Sequence, residues 1–190
     1  RLFGFNLKQN FAFPYFSRDI AEFWRRWHIS LSTWFRDYLY IPLGGSRGSM
    51  GIKTRNIFIV FIISGFWHGA NWTFIFWGAL NAIYFLPLLL TQNNRNHMDI
   101  VAKGKFLPSF KEILMIAITF SLTVFAWIFF RSEDLNHAFI YIKDIFTGDF
   151  FLATQFHKDP KLPILLALVS FLFLIEWIGR EGEFGIANIS

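Results

Sequence analysis

The sequence contains no cysteine at all. That excludes disulfides, thiol catalysis and thiolate metal sites within this stretch of chain. Charge is also scarce: Asp, Glu, Lys and Arg make up 16% of residues, against about 25% in an ordinary soluble domain. Other patterns are missing as well. No His-x-x-x-His, His-Glu-x-x-His or clustered carboxylates point to a metal, and no Gly-x-Ser-x-Gly elbow or phosphate loop occurs. No basic face stands apart from the apolar segments, which argues against nucleic-acid binding. The chain opens on Arg1 rather than Met and shows no short apolar leader with a cleavage site. It is expected to be one undivided portion, residues 1–190, of a longer protein, with further segments completing its site.

What the sequence has in excess is apolar and aromatic surface: 54% hydrophobic, 21% aromatic, with 27 Phe and 8 Trp. A water-facing surface cannot hide that much. The excess calls for a second solvent, the hydrocarbon of a bilayer. The net charge of +5 sits in the polar stretches between apolar ones, where it suits anionic lipid headgroups.

A helix that spans a bilayer needs about 20 apolar residues. From Asn56 to Asn94 no Asp, Glu, Lys or Arg occurs. As one helix this would run roughly 58 Å, nearly twice the hydrocarbon thickness. Two segments fit better, Ile57–Trp67 and Trp72–Leu90, broken near Gly65, Gly69 and Asn71. The first is too short to cross alone, which predicts a half-helix or re-entrant element, or else part of a tilted helix, with His68 at depth. Ile113–Phe130 and Leu162–Ile178 are two further spans. The linker Thr91–Glu112 carries four basic and two acidic residues, which places it on the cytoplasmic side. In the next linker, Leu135, Phe139, Ile142 and Phe146 recur at helical spacing and predict a helix lying in the interface. Toward the N-terminus, Ile20, Trp24, Trp27, Leu31, Trp34 and Tyr38 form a stripe that predicts a helix over 18–40, N-capped by Ser17 and ended by Pro42, Gly44 and Gly45. The fold class is therefore all-α: a polytopic transmembrane helical bundle with interfacial and re-entrant helices.

His68 is the one imidazole in the uncharged stretch. Ionisable groups at membrane depth usually face a cavity or a partner. A neutral imidazole can take a proton from a hydroxyl, which is what acyl transfer to an alcohol requires. A packing histidine bonded to a neighbouring helix fits the residues equally well. Gly65 and Gly69 have the spacing of close helix packing, though the same lack of side chains could open room for a substrate. His28, in Trp24-Arg25-Arg26-Trp27-His28, sits at the border of the stripe; by itself it reads as part of an interfacial helix with snorkelling arginines. Arg25, Arg26, Arg36 and Asp37 could bind an anionic donor or headgroup, or form a solvated face. His97, His137 and His157 lie in polar linkers and are expected to be solvated.

Two stretches together carry a resemblance. The first is Phe23-Trp24-Arg25-Arg26-Trp27-His28-Ile29-Ser30-Leu31-Ser32-Thr33-Trp34-Phe35-Arg36-Asp37-Tyr38, continuing to Ile41-Pro42-Leu43-Gly44-Gly45. The second, forty residues after His28, is Ser64-Gly65-Phe66-Trp67-His68-Gly69-Ala70-Asn71-Trp72. They resemble the two signature regions of the membrane-bound O-acyltransferases, in the bacterial branch that includes alginate O-acetylation, peptidoglycan O-acetylation and D-alanyl transfer to teichoic acids. Trp127-Ile128-Phe129-Phe130-Arg131 before an amphipathic helix resembles that branch too.

The resemblance implies that His68 is the essential histidine and His28 the second, with Trp67 and Asn71 beside the substrate. It implies an acyl thioester donor, acetyl-CoA or an acyl carrier protein, with no resident cofactor. It also implies a multi-pass place in the bacterial cytoplasmic membrane and an extracytoplasmic esterase-like (SGNH) partner. The activity it implies is transfer of an acyl group, acetyl first and D-alanyl as the alternative, to a hydroxyl acceptor. A transporter or a non-catalytic assembly subunit remains a rival of a different class.

Overall fold

The computed structural model describes residues 9–148 and 161–182. All regular elements among them are helical. A 3-10 turn at Pro14–Phe16 leads to α1 (Ile20–Arg26), α2 (Ile29–Phe35), a π-helical turn (Arg36–Tyr40), α3 (Met50–His68), α4 (Trp72–Leu90), α5 (Phe110–Arg131), α6 (Leu135–Thr147) and α7 (Leu162–Gly179). Helices α3, α4, α5 and α7 are each long and apolar enough to cross a membrane. His157 and the linker around it lie outside the described residues.

The predicted half-helix is a full one. Helix α3 begins at Met50 and runs unbroken through Gly65 to His68, about 28 Å at 1.5 Å per residue. Counting only uncharged residues hid its first two turns, because Lys53 and Arg55 belong to the helix. Asn56 is fully buried; its Nδ2 donates to the carbonyls of Leu43 and Gly45, both at 3.1 Å. The residue that looks like the end of a polar linker instead pins the Ile41–Gly45 turn beneath the bundle.

The single helix expected over 18–40 is two helices and a turn. It breaks at His28, whose φ of 45° lies in the left-handed region. Asp19, not Ser17, caps α1, with its carboxylate accepting from Glu22 N at 2.6 Å; the Ser17 hydroxyl donates to the Pro14 carbonyl. The stripe therefore divides. Ile20 is buried, whereas Trp34 and Tyr38, past the break, are exposed.

Helices α3 and α4 form a tight antiparallel hairpin. At Gly65 a Cβ would collide with the Phe74 carbonyl of α4, and at Gly78 it would collide with the Phe61 carbonyl of α3. The close packing read from Gly65 is thus real, but its counterpart is Gly78 across the interface, and Gly69 is the C-cap of α3. Helix α5 packs on α4, with Phe129 on Phe76 and Phe130 on Trp77 at ring distances of 4.5 and 5.2 Å. Helix α6 lays Leu135, Ala138 and Ile142 on this cluster and leaves Phe146 exposed. Helix α7 touches the bundle through Phe173 and Trp177. Arg180 just beyond it stacks on Trp177 and donates to the carbonyls of Val101, Ala102 and Lys105. Most of the remaining apolar side chains of α7 are exposed.

One end of the bundle is tied by ions. Glu22 is 1% exposed and takes hydrogen bonds from Arg18 and Arg26. Arg18 also pairs with Asp99 at 2.8 Å and reaches Glu112 at 3.5 Å. These bonds join α1, the 91–109 linker and the start of α5. A buried charge is tolerated only when paired in this way.

Candidate active site

A cavity of about 680 Å³ lies between α2 and the helices behind it. Its α3 wall is Ile57, Val60, Phe61, Ser64 and His68, a single helical face that follows the axis for about 16 Å. Facing it, α2 and the π-helical turn contribute His28, Leu31, Ser32, Phe35, Arg36 and Tyr40. Trp24 and Trp27, Trp77 and Phe85, and Trp127, Phe130 and Arg131 close the sides. Half of the lining residues are Phe, Trp or Tyr. Among the described residues its ionisable groups are two histidines, two arginines and a tyrosine, with no carboxylate.

His68 is the last residue of α3, beside the turn that Asn71 caps. Its imidazole is boxed by rings: Trp67 and Phe130 at 4.9 Å, Trp77 at 5.4 Å and Phe74 at 6.1 Å. Three of these contacts are edge-to-face, the arrangement aromatic quadrupoles favour. Such a box fixes the ring plane without consuming its nitrogens. Among the described residues, no hydrogen-bond partner reaches either ring nitrogen.

His28 reaches the same cavity from the α1–α2 junction. Its Nδ1 is buried without a hydrogen-bond partner among the described residues. Trp67 links the two histidines, edge-on to His28 at 6.5 Å and to His68 at 4.9 Å. At the far end, burial raises the Tyr40 phenol above its ordinary value while the Arg95 charge acts in the opposite direction. Tyr40 thus keeps its proton at neutral pH and can donate it to a ligand.

The structure brings His28, His68 and Arg36 to the cavity and divides the other expected site residues. Trp67 bridges the histidines but is not part of the lining. Asn71 Oδ1 accepts from Thr73 N at 3.1 Å and its Nδ2 donates to the Glu133 carbonyl at 2.8 Å; it caps α4 and ties the α3–α4 turn to the α5–α6 turn. Arg25 donates to the carbonyls of Asn94 and His97, and Arg26 to Glu22, Ala12 and Asp99. Both hold the 91–109 linker against α1. Arg36 and Asp37 form a two-pronged pair at 2.7 and 3.2 Å. His137 is exposed as expected, but His97 is mostly covered, with Nε2 3.9 Å from an Asp19 oxygen. Sequence reasoning missed Glu22, Tyr40 and Asn56. The four-residue steps Arg18–Glu22–Arg26 were the available signal for the first. Among the described residues no group of three His, Asp or Glu side chains comes together.

The motifs that meet at this cavity belong to one protein class. The model of the MBOAT, membrane-bound O-acyltransferase family, matches residues 2–130, and the chain belongs to that family. With four helices able to cross a bilayer, it is a multi-pass membrane protein. Relatives include a probable alginate O-acetylase, AlgI, of Azotobacter vinelandii, 41% identical over 92% of this chain and 33% of the relative. A peptidoglycan O-acetyltransferase of Helicobacter pylori is 45% identical over 74% of this chain and 25% of the relative. A teichoic acid D-alanyltransferase of Bacillus subtilis is 31% identical over 72% and 35%. The chain spans about a quarter to a third of the length of the curated relatives it matches.

Proposed function

We propose that this chain carries the reaction centre of a membrane O-acyltransferase that moves an acetyl group from a thioester donor to a hydroxyl acceptor. The observation that supports it is the convergence of His28 and His68, from two separate sequence motifs, on one aromatic cavity. His68 takes the proton of the acceptor hydroxyl, and the oxygen attacks the thioester carbonyl. The C–S bond breaks as the new C–O bond forms, and the proton passes to the departing thiolate. His28 stabilises the negative charge that builds on the carbonyl oxygen. The aromatic walls keep water from hydrolysing the thioester and strengthen each polar contact inside.

The donor is acetyl-CoA or an acylated carrier protein, entering from the Tyr40 end on the side of the 91–109 linker. The acceptor meets His68 at the opposite end, on the outer face of a bacterial cytoplasmic membrane. There an esterase-like partner passes the acetyl group on to extracellular polysaccharide or cell wall. Acetyl is favoured over D-alanyl because the acetylating relatives share 41% and 45% identity and the D-alanylating one 31%.

The test uses the full-length protein in vesicles supplied with radiolabelled acetyl thioester or D-alanyl thioester. Label should reach a hydroxyl acceptor from the acetyl donor. Transfer from D-alanyl thioester alone would replace the acetyl reading. Solute flux without transfer would make the protein a transporter.

A further inference from the structure

His28 occupies the N-cap position of α2 but does not act as a cap. An N-cap residue is normally extended, and its side chain accepts a hydrogen bond from the first turn. His28 instead has φ 45° and ψ 56° and makes no capping bond. A left-handed conformation is uncommon for a residue with a side chain, and such outliers persist only where surrounding structure enforces them.

The first two donors of α2 go to Asn10. Ile29 N donates to the Asn10 carbonyl at 2.9 Å, and Ser30 N donates to Asn10 Oδ1 at 3.0 Å. Two residues on, Ala12 N donates to the carbonyl of Arg26, the last residue of α1, at 2.9 Å. Asn10–Ala12 therefore splints both sides of the break. Between these anchors, Phe11 packs edge-on to Trp27 at 4.9 Å and against His28 at 6.0 Å.

From this we infer that Asn10 is the positioning residue for His28: by capping α2 from another segment, it releases the imidazole for the cavity. Alanine at position 10 keeps the backbone acceptor and loses the side-chain one. Aspartate keeps both.

The effect on transfer rests on the acyltransferase reading, whereas the effect on the imidazole does not. The experiment uses full-length protein with ¹⁵N-labelled histidine side chains, with the His28 signal identified by its loss in His28→Gln. Asn10→Ala should move the His28 ring signals and leave those of His68 in place, and Asn10→Asp should restore them. In transfer assays Asn10→Ala should lose as much as ~10²-fold in the wild-type background and nothing further in His28→Gln. An unmoved His28 signal in Asn10→Ala would overturn the assignment. So would a loss of equal size in the His28→Gln background. If Asn10→Ala does not fold, Asn10→Asp decides the matter, because displaced His28 signals there would contradict the capping role. Should the wild type transfer no acyl group, the acyltransferase reading fails and the ring signals still judge Asn10.

Discussion

Gly65 of α3 lies against the carbonyl of Phe74 in α4, so close that no side chain can stand between them. Gly78 repeats the arrangement in reverse against Phe61. This pair sets the spacing of the hairpin whose end carries His68. Gly65→Ala and Gly78→Ala should each cost about 1–3 kcal/mol, the usual range for overpacking, and should lower the thermal midpoint in detergent. Gly51→Ala is the control. Its Cβ would meet only Ser49 Oγ, at 3.9 Å, and alanine in a helix is favoured over glycine by roughly 0.5–1 kcal/mol. Equal effects at all three positions would mean that the hairpin is not held by backbone contact.

The linker should loosen in acid. Its Asp99 carboxylate accepts from Arg18 at 2.8 Å, and this bond, against partial desolvation, holds the carboxyl below its ordinary value. A depressed folded-state value means stabilisation that is complete above the unfolded value, about 3.9, and is lost as pH falls through the folded one. Protection from hydrogen exchange in residues 91–109, corrected for the intrinsic rate, should fall below about pH 4. In Asp99→Asn the exchange should already be faster near neutral pH and less dependent on acid. Identical pH profiles for the two proteins would remove Asp99 from the account. The effect is small, because Asp99 is 62% exposed and salt screens an exposed pair.

How much of this was legible in the sequence follows from what each element faces. Helices α4, α5 and α7 are apolar for nearly their whole length, so uncharged runs gave their limits to within a few residues. The start of α3 escaped because its first turns carry Lys53, Arg55 and Asn56. The break at His28 escaped because the apolar spacing continues across it, with no Gly or Pro to mark it, and its cause, Asn10, is remote in sequence. His68 stood out as the lone imidazole of an uncharged stretch. Its meeting with His28 could be inferred only from resemblance, because it depends on how α2 packs along α3. Arg25 and Asn71 look like binding groups in the sequence, but their partners are backbone carbonyls and an amide that no pattern of residues displays; only the Glu22 partner of Arg26 shows in the spacing.

The two histidines should differ in weight. His28 is placed to steady charge, so His28→Gln should reduce transfer while leaving it measurable. The loss should be smaller than the ~10²–10⁴-fold expected at a general base. An inactive His28→Gln beside an active His68→Gln would reverse the two roles.

The most direct measurement is transfer by His68→Ala in the full-length protein, reconstituted in vesicles with radiolabelled acetyl thioester, insertion being verified by protease protection. As the general base, His68 predicts a fall of ~10²–10⁴-fold with insertion unchanged, since its contacts are ring packing at the cavity and no hydrogen bond is lost. Transfer near the wild-type rate by correctly inserted His68→Ala protein would contradict the account.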